Sequence, residues 1–159
     1  CKQAEQEQQA IGLYGGTPES LLDFQNFLTT TFPRLTIAFA ASPPFRDLSM
    51  EERERYVKEI EASGARILFV GIGCPKQERW MAAHKGKVPC VMIGVGAAFD
   101  FFSGRKKHAP RWMQHAGLEW LFRLASDPRR LWKRYLKHIP RFVFYFSGQL
   151  IRQRLLGRP

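Results

Sequence analysis

Four short apolar runs punctuate the first two-thirds of the chain, and each stops at a glycine or proline breaker. Ile11–Tyr14 runs into Gly15-Gly16, and Leu35–Ala40 into Ser42-Pro43-Pro44-Phe45. Arg66–Val70 ends at Gly71-Ile72-Gly73, and Val88–Val95 closes on Gly94-Val95-Gly96. Each run predicts a strand with a turn at its carboxyl end. Between the runs the apolar residues take a helical spacing. Thr17 is the expected N-cap of a helix with Pro18 at its first position, and Leu21, Leu22, Phe24, Phe27 and Leu28 form its apolar face. Ser49 is the expected cap of a charged helix, MEERERYVKEIEAS, with Tyr56, Val57 and Ile60 inward. A third helix is expected to start near Pro75. Uninterrupted apolar strands alternating with helices predict an α/β fold, a Rossmann-like parallel sheet with flanking helices. The opening stretch, KQAEQEQQA, reads as one more helix. The chain starts at Cys1 inside it, which reads as a fragment or a cleaved product.

After Pro110 the pattern changes. Arg111–Ala125 and Pro128–Gly148 read as helices, aromatic and basic, with no strand among them. This divides the chain into an α/β domain, 1–110, and a basic helical appendage, 111–159. The segment Ile139–Ile151 is apolar, but it carries Arg141 and is expected to be broken at Pro140 and Gly148. A spanning helix needs roughly 20 apolar residues, so this one reads instead as a helix lying at a membrane interface.

Charge sharpens the division. The chain carries 25 Lys/Arg against 14 Asp/Glu, a net +11. Residues 111–159 hold 11 of those cations and only Glu119 and Asp127, for +9, leaving +2 to the rest. A basic segment of this kind points to an anionic partner: phosphates, an anionic membrane surface or nucleic acid. The three cysteines, Cys1, Cys74 and Cys90, have neither CxxC nor metal-ligand spacing and read as free thiols in a reducing compartment.

In a parallel α/β sheet the ligand sits at the carboxyl ends of the strands, and here those ends carry the polar clusters. Pro75-Lys76-Gln77-Glu78 follows the third strand. Phe99-Asp100 and then Gly104-Arg105-Lys106-Lys107 follow the fourth. Glycine lets backbone approach a ligand, and a helix N-terminus favours an anion. The spacing therefore reads as a nucleotide or sugar-phosphate site. Glu78 also suits a helix N-terminus by its charge alone. Thr17 reads first as a cap, and His84, His115 and His138 as surface or helix-face residues. The four aspartates form no Asp-x-Asp, so neither a metal site nor a cofactor is expected.

The motifs have a family likeness. Gly71-x-Gly73-x-Pro75-Lys76-Gln77-Glu78 is one. GVGAAFDFFSG with the basic run and His108-Ala109-Pro110-Arg111-Trp112-Met113 is a second, and GLEWLFRLASDPRRLWKRYL, Gly117 to Leu136, is a third. With Gly15-Gly16-Thr17-Pro18 and Ser42-Pro43-Pro44-Phe45 upstream in order, the chain resembles the WecG/TagA/CpsF glycosyltransferases over nearly its whole length. The resemblance implies an inverting, metal-independent transfer of a sugar (N-acetylmannosamine, its uronic acid or glucose) from a UDP donor. The acceptor is an undecaprenyl-diphosphate-linked sugar, and the work is done at the cytoplasmic face of a bacterial membrane, in cell-surface polysaccharide synthesis.

The same resemblance implies a donor-binding set: Gly15, Gly16, Thr17, Phe45, Gly71, Gly73, Pro75, Lys76, Gln77, Glu78, Gly94, Gly96 and Asp100. Gln77 would reach the donor sugar or diphosphate, Lys76 would neutralise phosphate, and Asp100 would accept hydrogen bonds from the uridine. Phe45 would stack on uracil or pack within its loop. The appendage would close over the site. There Arg123 and Arg130 would stabilise the leaving UDP, and Arg129, Lys133 and Arg134 would meet the diphosphate or anionic lipid. The family's N-terminal portion, with the Asp thought to be the general base, has no counterpart here. The chain therefore reads as a piece lacking that base, and apolar surface left bare would drive it into a homo-oligomer.

Two other classes compete. A basic nucleic-acid-binding α/β module would account for the +9 tail and its interleaved aromatics, but not for PKQE or FDFFSG, so no nucleic-acid partner is expected. A dinucleotide-dependent oxidoreductase would need the full GxGxxG turn, which neither strand end has.

Overall fold

The computed structural model describes residues 1–102, 104 and 108–155, with backbone alone for 130, 134, 154 and 155. They form two compact units, Cys1–Lys107 and His108–Pro159. The first runs α1 (Lys2–Gln6), β1 (Ile11–Gly15), α2 (Pro18–Thr31), β2 (Ile37–Ala41), α3 (Met50–Ser63), β3 (Ile67–Gly71), α4 (Lys76–His84), β4 (Val91–Gly94) and α5 (Ala98–Phe102). The four strands pair in the order β2-β1-β3-β4, every pairing parallel. This is the α/β architecture that the alternating pattern predicted.

Two strands start later than their apolar runs. Leu35 and Val88 are 7% and 6% exposed, yet β2 begins at Ile37 and β4 at Val91. Their apolarity reports burial under the sheet rather than ladder pairing, and Pro89 has no N–H to lend to a ladder. The capping expectations hold: Thr17 and Ser49 each close a capping box, and α3 stops at Gly64 in the left-handed region.

Each face of the sheet has its own core. Leu21, Phe24 and Leu28 of α2 pack with Ile11, Leu13 and Phe99, and the Phe24 and Phe99 rings stack at 5.0 Å. On the other face Tyr56 and Ile60 of α3 pack with Tyr14, Leu68 and Val70, and Trp80 of α4 completes the layer. Leu22, expected on the α2 face, is exposed, because one residue of helix turns it about 100° away from Leu21. His84, expected at the surface or on a helix face, takes the second place and is buried on α4: its ring stacks on Trp80 at 4.2 Å and its Nδ1 lies 2.7 Å from the Trp80 carbonyl. A side chain four residues on lands on the same helix face.

The sheet has a switch point. The chain leaves β1 for β2 on one side and leaves β3 for β4 on the other, while α2 covers one face and α3 and α4 the opposite one. Crossovers diverge between β1 and β3, and in open α/β sheets the crevice at that point takes the ligand. β4 is bare by contrast. Val91 is 64% and Ile93 41% exposed, and the strand hydrogen-bonds only towards β3 among the described residues.

The second unit comprises α6 (Arg111–His115), α7 (Glu119–Ser126) and α8 (Pro128–Leu155). Trp120 of α7 meets Tyr135 of α8 edge to face at 6.3 Å. The expected breaks at Pro140 and Gly148 do not occur, since α8 runs through both. Proline removes a single rung, the bond to the Leu136 carbonyl, while its fixed φ remains helical. Phe142, Phe144 and Tyr145 are largely exposed along α8. Among the described residues no helix is long and apolar enough to cross a membrane.

Candidate functional site

The crest between β1 and β3 is built on glycine. Gly15 lies beside Gly71 in register, and the Gly16 N–H donates to the Gly71 carbonyl at 3.2 Å. A Cβ on Gly15 would sit 2.4 Å from the Gly71 carbonyl carbon, at a φ of +139°, so no other residue fits. Phe99 presses on the next two glycines: Cβ atoms on Gly16 and Gly71 would fall 3.1 and 3.2 Å from its ring. These three glycines make room for protein. Gly73 and Gly96 face open space, and they are the two that leave backbone accessible to a ligand.

Gln77 stands in the first turn of α4, 6% exposed. Its Oε1 accepts the Gly96 N–H at 3.0 Å, and its Nε2 donates to Glu78 Oε1 at 2.9 Å. A Cβ on Gly94 would come within 2.9 Å of that Nε2. Gln77 therefore ties the turn after β3 to the turn after β4, and the glycine at 94 gives the amide its place. The turn enters α4 through a cis Cys74–Pro75 peptide, with Pro75 at the N-cap.

On the α3/α4 side of the crest lies a cavity of about 30 Å³, lined by Tyr14, Gly16, Pro43, Pro44, Phe45, Leu48, Ile72, Lys76 and Trp80. The loop that roofs it is pinned at several points. Ser42 Oγ donates to the Gly16 carbonyl at 2.7 Å, and Lys76 Nζ donates to the Arg46 carbonyl at 3.2 Å. Arg46 grips both oxygens of Glu52, at 2.6 and 2.7 Å, and the Ser49 N–H donates to the same carboxylate at 2.9 Å. Arg46 first, then the Ser49 N–H, hold the Glu52 carboxyl down at about 2. Phe45 stands 79% exposed above the cavity. Tyr14 lies fully buried beneath, and its hydroxyl has no hydrogen-bond partner among the described residues. Burial pushes that phenol well above its ordinary value, so it remains a neutral donor.

The structure thus gathers Gly16, Phe45 and Lys76 at the cavity, and Gln77, Glu78 and Gly96 at the adjoining turn. Thr17 caps α2, accepting the Ser20 N–H at 3.1 Å, which commits its hydroxyl to the helix. Asp100 lies half-buried within α5. In the second unit Arg123 pairs with Glu119 one turn earlier, Nε to Oε1 at 2.9 Å. Arg129 is exposed, and the Lys133 ammonium lies 5.6 Å from the Trp132 ring centre. The Arg130 and Arg134 side chains, and Arg105-Lys106-Lys107, lie outside the described residues. Among the described residues no three His, Cys, Asp or Glu side chains converge.

The sequence reading missed Tyr14, Trp80 and the role of Phe99. Tyr14 carries the one signal that could have pointed to it: a hydroxyl in an otherwise apolar strand, directly before a Gly-Gly turn.

A doubly wound parallel sheet with glycine turns and a polar crest at its switch point defines a Rossmann-like α/β domain. Within that class the family described as "Glycosyl transferase WecG/TagA/CpsF family" matches residues 1–156, and the chain belongs to it. A curated relative from Bacillus subtilis (strain 168), N-acetylglucosaminyldiphosphoundecaprenol N-acetyl-beta-D-mannosaminyltransferase, is 33% identical over 141 residues, covering 88% of this chain and 52% of the relative. The chain spans about half the length of that relative.

Proposed function

We propose that this chain forms the donor-nucleotide half of an inverting, metal-independent glycosyltransferase that uses a UDP-sugar. The sugar passes to an undecaprenyl-diphosphate-linked acceptor in the synthesis of a bacterial surface polysaccharide. The observation that carries this reading is the side-by-side placement of the Gly71–Glu78 and Gly94–Asp100 turns, joined through Gln77 and Gly96 beside the switch point. The relative's name specifies N-acetylmannosamine as the sugar and diphosphoundecaprenol-linked N-acetylglucosamine as the acceptor, and this chain is assigned chemistry of that kind.

In the reaction an acceptor hydroxyl attacks the anomeric carbon, its proton passes to a base outside this chain, and the bond to UDP breaks. The charge that develops on the leaving diphosphate needs fixed donors. The Gly73 backbone and Lys76 of the first unit are assigned that role. Gln77 and Asp100 orient the donor. Arg129, Lys133 and Arg134, with the exposed aromatics of α8, hold the protein at the inner face of the plasma membrane as a peripheral protein.

Calorimetric titration with UDP, first without metal and then with magnesium, tests the reading. Metal-free binding, weakened by Asp100→Ala, is the expected outcome. A chain extended upstream that binds no UDP under either condition would sink the proposal.

A further inference from the structure

The loop between β2 and α3 carries a closely tied ion pair in an exposed place. The Arg46 and Glu52 side chains are 60% and 25% exposed, and such a pair contributes little to stability unless its geometry is ideal. Here it is two-pronged: Nη1 and Nη2 of Arg46 donate to the two Glu52 oxygens at 2.7 and 2.6 Å. The same Nη1 donates to the Asp47 carbonyl at 3.1 Å, and the Ser49 N–H donates to Glu52 at 2.9 Å. Glu52 stands in the first turn of α3, where it closes the capping box with Ser49. Together these bonds fasten the loop at residue 46 to the end of a helix.

The backbone held in this way has a partner on another element. The Arg46 carbonyl accepts a hydrogen bond from Lys76 Nζ at 3.2 Å, from thirty residues further along the chain. Lys76 is the first residue of α4, just past the turn at Gly73, and it is exposed. An exposed lysine ordinarily samples many rotamers and loses that freedom when it binds an anion. An ammonium has three donors, so one tie to a carbonyl orders the head and leaves two N–H groups for a ligand. A carbonyl serves as such an anchor only if it is itself held in place, and the Arg46–Glu52 pair holds it.

We propose that Arg46 and Glu52 are positioning residues for Lys76: their ion pair fixes the loop carbonyl that holds the Lys76 ammonium, so that the lysine meets the donor's diphosphate already ordered. The inference rests on the UDP-donor reading above, in which Lys76 meets the diphosphate, and names what sets that lysine in place. Neither residue touches the ligand in this account. Their effect on binding runs through the Arg46 carbonyl and Lys76, and disappears when Lys76 is removed.

Glu52→Gln, made in this chain or in the form extended upstream, whichever binds UDP, separates positioning from charge, because the two predict opposite signs. Glutamine still accepts the Ser49 N–H but ends the ion pair. Removing a negative charge near the site would by itself tighten the binding of an anion. Loosening Lys76 should instead weaken UDP binding about twofold to tenfold, the range that corresponds to ordering one such side chain. Inorganic pyrophosphate should lose the same factor, since the contact is to phosphate and not to the base. Arg46→Lys, which keeps the charge but not the two-pronged hold, should reproduce the loss. In a Lys76→Met background Glu52→Gln should change UDP affinity by less than about twofold. UDP affinity unchanged or tighter in Glu52→Gln would overturn the inference. So would a loss confined to UDP, which would act through Phe45 and the base, or a loss undiminished without Lys76. Any of these, with wild type binding UDP, removes this inference alone. If neither form of the wild-type chain binds UDP, the donor reading falls and this inference with it.

Discussion

Gly96 donates its backbone N–H to the side-chain oxygen of Gln77, 3.0 Å away and nineteen residues earlier in the chain. One amide thereby holds two crest turns in a fixed relation, and its other end is spoken for by Glu78. Gln77→Ala should accordingly do more than remove a polar contact. It leaves the part-buried Gly96 N–H unpaired, and urea unfolding should show a loss of about 1–2 kcal/mol. Gln77→Glu keeps the acceptor but sets a second carboxylate against Glu78, so it should lose less stability at pH 4 than at pH 7.

Gly15 and Gly73 should respond differently to the same substitution. Gly15→Ala drives a Cβ into the Gly71 backbone at 2.4 Å and should cost about 3 kcal/mol or more, enough to show as poor soluble yield. Gly73→Ala meets no atom within 4 Å and should cost about 1–2 kcal/mol, from its left-handed φ alone. Equal losses in denaturant unfolding would contradict the packing described for the crest.

Glu52 gives the loop over the cavity a pH limit. Its carboxyl is lowered from 4.5 to about 2, first by Arg46 and next by the Ser49 N–H. A depressed folded-state value means the contribution is whole above about pH 4.5 and disappears as pH falls towards 2. The Tm of wild type should exceed that of Glu52→Gln at pH 6, and the difference should close between pH 4.5 and 2. A difference constant across that range would remove the ion pair from the account.

The bare strand β4 predicts self-association. Among the described residues Val91 and Ile93 present apolar side chains beside a ladder edge that no strand pairs with, a template for another strand. In sedimentation velocity the wild-type chain should associate as its concentration rises, and Ile93→Lys should shift it towards monomer. A wild type that is monomeric throughout would show that this edge is protected.

The second unit predicts binding to acidic lipid. Each basic residue near an anionic surface contributes about 1 kcal/mol, so reversing Arg129 and Lys133 together to glutamate should weaken binding to phosphatidylserine vesicles more than tenfold. Binding to neutral vesicles, carried by the exposed α8 aromatics, should change little. Equal effects on the two vesicle types would argue against an electrostatic role for these residues.

Local chemistry made much of this legible in advance. Apolar runs ending in glycine or proline defined the strands, Thr17 and Ser49 announced their helices, and the crest motifs stood beside one another in order, because caps, turns and periodicity act over a few residues. The strand order and its switch point are matters of non-local pairing, and no local signal carries them. Nor does spacing reveal that Gln77 reaches Gly96, or that Phe99 fills the room above Gly16 and Gly71. Leu35 and Val88 show the same limit, buried as their apolarity implies yet outside the ladder, and so does His84, since side-chain polarity reports burial only on average and tertiary packing decides each case. The glycines were read from sequence as room for a ligand. Tertiary structure divided them, four filled by protein and two facing open space at the crest, because whether a missing side chain admits a ligand or a neighbour depends on what the rest of the fold brings there.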